Sequence, residues 1–170
     1  RHSPPPILTL IGPTCVGKTT VGVALAERLG TEILSADSRQ IYRYMDIGTA
    51  KPTMEEQQAV RHHLIDIINP EDRFSAGEYG RQAGTLITGL QQQGTTPLIV
   101  GGAGLYVQAL MGGLFHAPDI PSEVRQNLKE QFQEQATDGL YHTLKAVDPE
   151  TSVRIHPNDR QRIERALEVY

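Results

Sequence analysis

At 170 residues, 38% of them apolar, the chain has room for one α/β domain with a small appendage. Its 16 basic side chains are outnumbered by 20 acidic ones, a net charge of −4, so a nucleic-acid site has to be a local patch and not a global basic field. One cysteine excludes an internal disulfide, and no run approaches the roughly 18 apolar residues of a membrane helix, so a soluble, cytoplasmic chain without membrane contact is expected.

In chain order, Ile7–Ile11 reads as a fully buried strand, and Gly17–Leu29 reads as an amphipathic helix stopped by Gly30. Between them stands Gly12-Pro-Thr-Cys-Val-Gly-Lys-Thr19, the pattern G-x-x-x-x-G-K-[ST] with a strand before it and a helix after it. Such a loop turns successive backbone N–H groups around an anion, so Gly12, Pro13, Thr14, Cys15, Val16, Gly17, Lys18 and Thr19 are expected to bind a di- or triphosphate. Lys18 adds a charge and Thr19 a hydroxyl for Mg²⁺.

A second strand, Glu32–Ser35, runs into Ala36-Asp37-Ser38, and Ile41–Pro52 reads as loop. Thr53 caps a short helix, His63–Ile67 reads as a third strand, and Ser75 starts a long helix that Gly94 stops. Pro97–Val100 is a fourth strand, followed by Gly101-Gly-Ala-Gly104 and a helix from Leu105. This alternation predicts an α/β fold, a parallel sheet flanked by crossover helices. From Phe115 to Val153 there is no strand signal and helix-forming polar residues dominate, which predicts a small all-helical insertion. Asn158-Asp-Arg-Gln161 then opens a final helix with Ile163, Ala166, Leu167 and Tyr170 on one face. The expected organisation is a core over 1–114, an insertion over 115–153 and a helix over 154–170 that returns to the core. The sequence opens on Arg1 and stops inside a helical pattern, so a longer parent chain is expected.

Ligands of open parallel sheets bind beyond the carboxyl ends of the strands. That rule gathers the phosphate loop, Asp37–Gln40, Asn69–Phe74 and Gly101–Gly104. Asp37 can ligate Mg²⁺ or accept a proton from a nucleophile; a plain capping aspartate is the bland alternative. The fourth strand ends in glycines where motor ATPases end in Asp, and Asp66 is followed by Ile67-Ile68, which favours a compact transferase or kinase. Gly101–Gly104 reads equally well as a close-packing turn or a functional one. His62 and His63 are adjacent in a strand and point to opposite faces, so a shared metal is not expected. Arg162 and Arg165 share a helix face and could reach one anion, or could be neutralised by Asp159 and Glu164.

Six ordered motifs go further: the phosphate loop, Ser35-Ala-Asp-Ser-Arg-Gln-Ile-Tyr42, Asp46-Ile-Gly-Thr-Ala-Lys-Pro52, His62-His-Leu-Ile-Asp66, Gly101-Gly-Ala-Gly-Leu-Tyr106 and His156-Pro-Asn-Asp-Arg-Gln-Arg-Ile-Glu-Arg-Ala166. Together they resemble the N-terminal part of the tRNA dimethylallyltransferases, from Ile7 to Tyr170. The sequence departs from many members at Ala103, where they carry Thr, and at Arg39, where they carry Met. The resemblance implies a P-loop NTPase-like fold and transfer of a dimethylallyl group from dimethylallyl diphosphate to the N6 amine of the adenosine beside the tRNA anticodon. It implies that Lys18, Thr19 and Asp37 are catalytic, Thr19 holding Mg²⁺ and Asp37 taking the amine proton. It implies tRNA contacts from Asp37, Ser38, Arg39, Gln40, Ala103, Gln161, Arg162, Ile163, Glu164 and Arg165, with Gln161 and Arg165 lining the channel and the helical segment gripping the anticodon stem. A monomer is expected. Two alternatives remain: transfer of the same group to a free adenine nucleotide, as in cytokinin synthesis, and a small-molecule P-loop kinase.

Overall fold

The computed structural model describes residues 4–112 and 122–170, which divide into two compact units, Arg1–Leu114 and Phe115–Tyr170. Among the described residues no helix is long and apolar enough to cross a membrane.

The first unit carries four parallel strands, β1 (Leu8–Ile11), β2 (Ile33–Ala36), β3 (His62–His63) and β4 (Leu98–Gly101), in the spatial order β1-β4-β2-β3. The helices between them are α1 (Lys18–Leu29), α2 (Met54–Ala59) and α3 (Ala76–Gln92), and α4 (Gly104–Gly112) follows β4. The last strand thus inserts between the first two. Period-2 alternation then sends side chains to two separate cores. Leu34, Ala36 and Ile99 pack with Tyr79, Ala83, Ile87 and Tyr106 of α3 and α4. Ile33, Leu98 and Val100 pack on the other face with Ala26 of α1 and Val60.

Two strands differ from the sequence reading. β1 is not fully buried: it pairs with β4 on one side, its burial alternates, and Ile11 is 53% exposed. β3 is two residues long, because Leu64 (φ 62°) and Asp66 (φ 55°) adopt left-handed conformations that no strand continues through. The helix caps follow the local sequence. The Thr53 side chain accepts from the Glu56 N–H while the Glu56 carboxylate accepts from the Thr53 N–H. Ser75 caps α3 through the Glu78 N–H at 3.0 Å.

The second unit is all helix: α5 (Ser122–Gln133), α6 (Thr137–Val147), α7 (Pro149–Arg154) and α8 (Arg160–Val169). Phe132, Leu140, Leu144 and Ile163 form its core. Asp148 caps α7 ahead of Pro149, and Asp159 caps α8 through the Arg162 N–H at 3.2 Å. α8 falls within the second unit, where its apolar face meets α6.

Candidate active site

The phosphate loop connects β1 to α1. Gly17 (φ 82°) and Cys15 (φ 64°) turn the backbone through the left-handed region, a conformation that costs glycine little and cysteine more. No side chain caps α1. Its first-turn N–H groups and the positive end of its dipole are therefore left for an anion. Lys18 bends back so that its ammonium donates to the Pro13 carbonyl. Thr14, Cys15, Gly17, Lys18 and Thr19 all line a cleft of about 220 Å³, and Asp37 lines it with them.

The turn after β4 has a packing reason. A Cβ on Gly101 would lie 2.1 Å from the Ala36 carbonyl oxygen, so only glycine lets β4 pass β2 at that point. The same oxygen then accepts the N–H groups of Gly102 (3.1 Å) and Ala103 (2.9 Å). This contact brings the ends of β2 and β4 together, so that Asp37, Ala103 and the phosphate loop also share an adjoining recess of about 330 Å³ with Ser38 and Arg39.

Asp37 begins a tight turn. Its Oδ1 accepts the N–H of Arg39 at 2.8 Å and of Gln40 at 3.4 Å. The capping geometry is therefore present, and both contacts fall on one oxygen. Gln40 is only 9% exposed and acts as a bracket, and it lines the cleft beside Asp37. It accepts the Ser35 hydroxyl at 3.0 Å and donates to the Ala50 carbonyl at 2.8 Å. Ser38 and Arg39 are exposed.

Lys51, Asp46 and Asp66, to which the motifs alone assign no role, frame this turn. The Lys51 ammonium, on a side chain 5% exposed, meets Asp46 and Asp66 at 2.6 Å each and the Tyr42 carbonyl at 3.0 Å. Burial pulls the Lys51 pKa down, but the two carboxylates outweigh it and the net shift is upward. Their only sequence signal was a lysine flanked by carboxylates across a loop.

His62 lines the cleft and His63 pairs instead with Glu32, so the two histidines do separate as strand geometry requires. Burial holds the His62 pKa below its usual value despite a hydrogen bond to the Val60 carbonyl at 2.8 Å. Tyr106, stacked on Tyr79 with ring centroids 4.3 Å apart, stays neutral: burial first, then Tyr42 and Asp37, push its pKa up to about 12.

In the second unit, Arg162 and Arg165 do line one groove, of about 570 Å³, with Asp148 and Tyr170. Both are ion-paired, Arg162 to Asp159 at 3.3 Å and Arg165 to Glu168 at 2.9 Å. Arg160 holds α8 to the end of α5 through the carbonyls of Phe132 and Gln135 and pairs with Glu164 at 2.7 Å. Ile163 requires a correction: it is 0% exposed, sealed among Phe132, Leu140 and Leu144, and cannot touch RNA. The helical period that puts Arg162 and Arg165 outside puts Ile163 inside. Gln161 is exposed.

The family model for IPP transferase matches residues 40–170. The chain belongs to the IPP transferase family. Among curated relatives of this family, a tRNA dimethylallyltransferase of Desulfosudis oleivorans is 49% identical over 166 residues, 98% of this chain and 53% of that protein. A crystal structure of the full-length tRNA isopentenylpyrophosphate transferase from Bacillus halodurans matches with TM-score 0.62 and 43% identity over 96% of this chain and 55% of its own. Crystallographic snapshots of a eukaryotic dimethylallyltransferase acting on tRNA match with TM-score 0.79 and 25% identity over 98% of this chain and 41% of theirs. The fold is the P-loop NTPase-like parallel sheet of these family members. The chain spans about half the length of the curated relatives it matches.

Proposed function

We propose that this chain supplies the donor site and the catalytic base for transfer of a dimethylallyl group from dimethylallyl diphosphate to the N6 amine of the adenosine adjacent to the anticodon in tRNA. One observation carries the reading: the phosphate loop and Asp37 line a single cleft. An anion cradle and a proton acceptor at one site suit an alkyl transfer in which diphosphate leaves.

In that reaction N6 forms a bond to the allylic C1 as the C1–O bond breaks. The electron pair leaves on diphosphate, and the amine proton passes to Asp37. Negative charge concentrates on the leaving group, where Lys18 and the loop N–H groups stabilise it; one such donor is worth about 3–4 kcal/mol by analogy with oxyanion holes. Because the turn amides hydrogen-bond Oδ1 of Asp37, Oδ2 is the oxygen for the acceptor amine. A positioned base of this kind contributes about 10²–10⁴-fold.

Among the described residues no group of three or more His, Cys, Asp or Glu side chains could hold a metal. Hard oxygen donors on Thr19 and Asp37 in the diphosphate cleft fit Mg²⁺, which retains waters and binds largely through substrate phosphates. Bound there through Thr19, it would neutralise charge on the diphosphate. The exposed Ser38 and Arg39 and the half-buried Ala103 flank the recess beside Asp37 and would meet the flipped base and its neighbours. The relatives' names support tRNA as acceptor, and we assign the reaction to the cytoplasm and the working unit to a monomer.

The test incubates the full-length protein with labelled dimethylallyl diphosphate and an unmodified anticodon stem-loop. Label entering the RNA is the expected result. Label entering AMP faster than RNA would transfer the assignment to a free nucleotide, and label entering neither, with ATP turned over, would make it a kinase.

A further inference from the structure

We propose that Lys51 is a positioning residue for Asp37, an inference that rests on the reading of Asp37 as the base. Lys51 stands between Ala50 and Pro52, which line the cleft, and its ammonium has all three N–H donors committed, to Asp46, Asp66 and the Tyr42 carbonyl. The Asp66 backbone N–H in turn donates to the Gln40 carbonyl at 3.1 Å. From the other side, the Gln40 side chain donates to the carbonyl of Ala50, the residue preceding Lys51, at 2.8 Å. Gln40 is therefore clamped at both its main chain and its side chain by the two segments that Lys51 ties together. Its own N–H, with that of Arg39, donates to Asp37 Oδ1.

The frame holds backbone that does not hold itself. Tyr44 (φ 63°), Ala50 (φ 49°) and Asp66 (φ 55°) are all left-handed without being glycine. Such residues persist only where surrounding contacts over-determine them. Lys51 joins the loop bearing the first two to the carboxylate of the third, beside Arg43, whose guanidinium donates to the Asp66 carbonyl at 2.9 Å. Arg43 and the backbone bond from Ile67 to Ile41 keep the two segments paired, so losing the Lys51 contacts slackens Gln40 and the turn that aims the Asp37 carboxylate without unfolding the loop. The phosphate loop stands on β1 and α1, outside this network.

The experiment compares Lys51→Met and Asp66→Asn with the parent in the full-length protein, each also in an Asp37→Asn background. Lys51→Met is expected to lower kcat by about 10–100-fold with the donor KM within about twofold, and to cost less than about twofold further once Asp37 is Asn, because coupled residues are non-additive. Asp66→Asn, which removes one of the two charges facing the lysine and leaves only a neutral acceptor, is expected to do the same in smaller degree. In parallel, backbone amide exchange at Arg39 and Gln40 should quicken about 10-fold or more in both variants, a readout that needs no catalysis. An equal kcat loss in both Asp37 backgrounds, or unchanged exchange at those two amides, overturns the proposal. If the parent transfers no prenyl group, the functional reading fails, and the exchange measurement alone still decides whether Lys51 holds the turn. Should Lys51→Met not fold, Asp66→Asn decides on the same two readouts.

Discussion

Replacing Gly101 by alanine should unseat the site from below. The new Cβ would lie 2.1 Å from the Ala36 oxygen and 2.4 Å from its carbonyl carbon, both backbone atoms of a paired strand that cannot swing aside. Relief requires β4 and β2 to part, which breaks the two hydrogen bonds from Gly102 and Ala103 to that oxygen. Two net hydrogen bonds at about 0.5–1.5 kcal/mol each, with overpacking of about 1–3 kcal/mol, put the loss at about 2–6 kcal/mol. With a urea slope of about 1–3 kcal/mol/M, the unfolding midpoint should drop by about 0.7 M or more. Gly84→Ala is the control: a Cβ there meets nothing within 4 Å in the interior of α3, and alanine should stabilise by about 0.5–1 kcal/mol. Urea titrations followed by circular dichroism compare the two. A Gly101→Ala midpoint within experimental error of the parent would refute the close approach of β2 and β4 and the explanation of this turn as packing.

Lys18→Ala should cut turnover by about 10²–10³-fold through lost diphosphate stabilisation, with the unfolding midpoint unchanged, since the side chain is bonded only within its own loop; steady-state rates of the full-length enzyme check this. Asp37→Asn keeps shape and removes proton acceptance, so kcat should fall while donor binding by titration calorimetry holds; full rescue by raised Mg²⁺ would make Asp37 a metal ligand instead. His62 has a folded pKa below its unfolded value near 6.5, so the fold resists its protonation. Its contribution is fully present above that pH and is lost as pH falls toward the folded pKa, and thermal midpoints between about pH 7.5 and 5 should decline less steeply in His62→Asn. Neutralising Arg162 and Arg165 should flatten the salt dependence of stem-loop binding by at most about two counterions' worth, and by less if Asp159 and Glu168 already neutralise them; filter binding at several salt concentrations reads the slope.

What the sequence determined by itself was whatever closes within a few residues. The phosphate loop is one contiguous turn between a strand and a helix, so its spacing alone states its geometry. Caps at Thr53, Ser75, Asp148 and Asp159 reach N–H groups three residues on, and Gly30 and Gly94 end helices by their own left-handed φ. The parallel alternation was legible for the same reason, because each strand and helix carries its own period. Tertiary structure decided what pairs across distance. The insertion of β4 between β1 and β2 leaves β1 paired on one side and half exposed, which an apolar run of five residues could not reveal. It also explains Gly101, whose need is set by a carbonyl on another strand. A buried Gln40 and a sealed Ile163 look polar-site and helix-face residues in one dimension, and only their partners on other segments show them to be a bracket and a core side chain. The Lys51 cluster was least legible of all. Its charges lie 5 and 15 residues apart, and nothing in their spacing says that a loop with three left-handed residues folds them onto one ammonium.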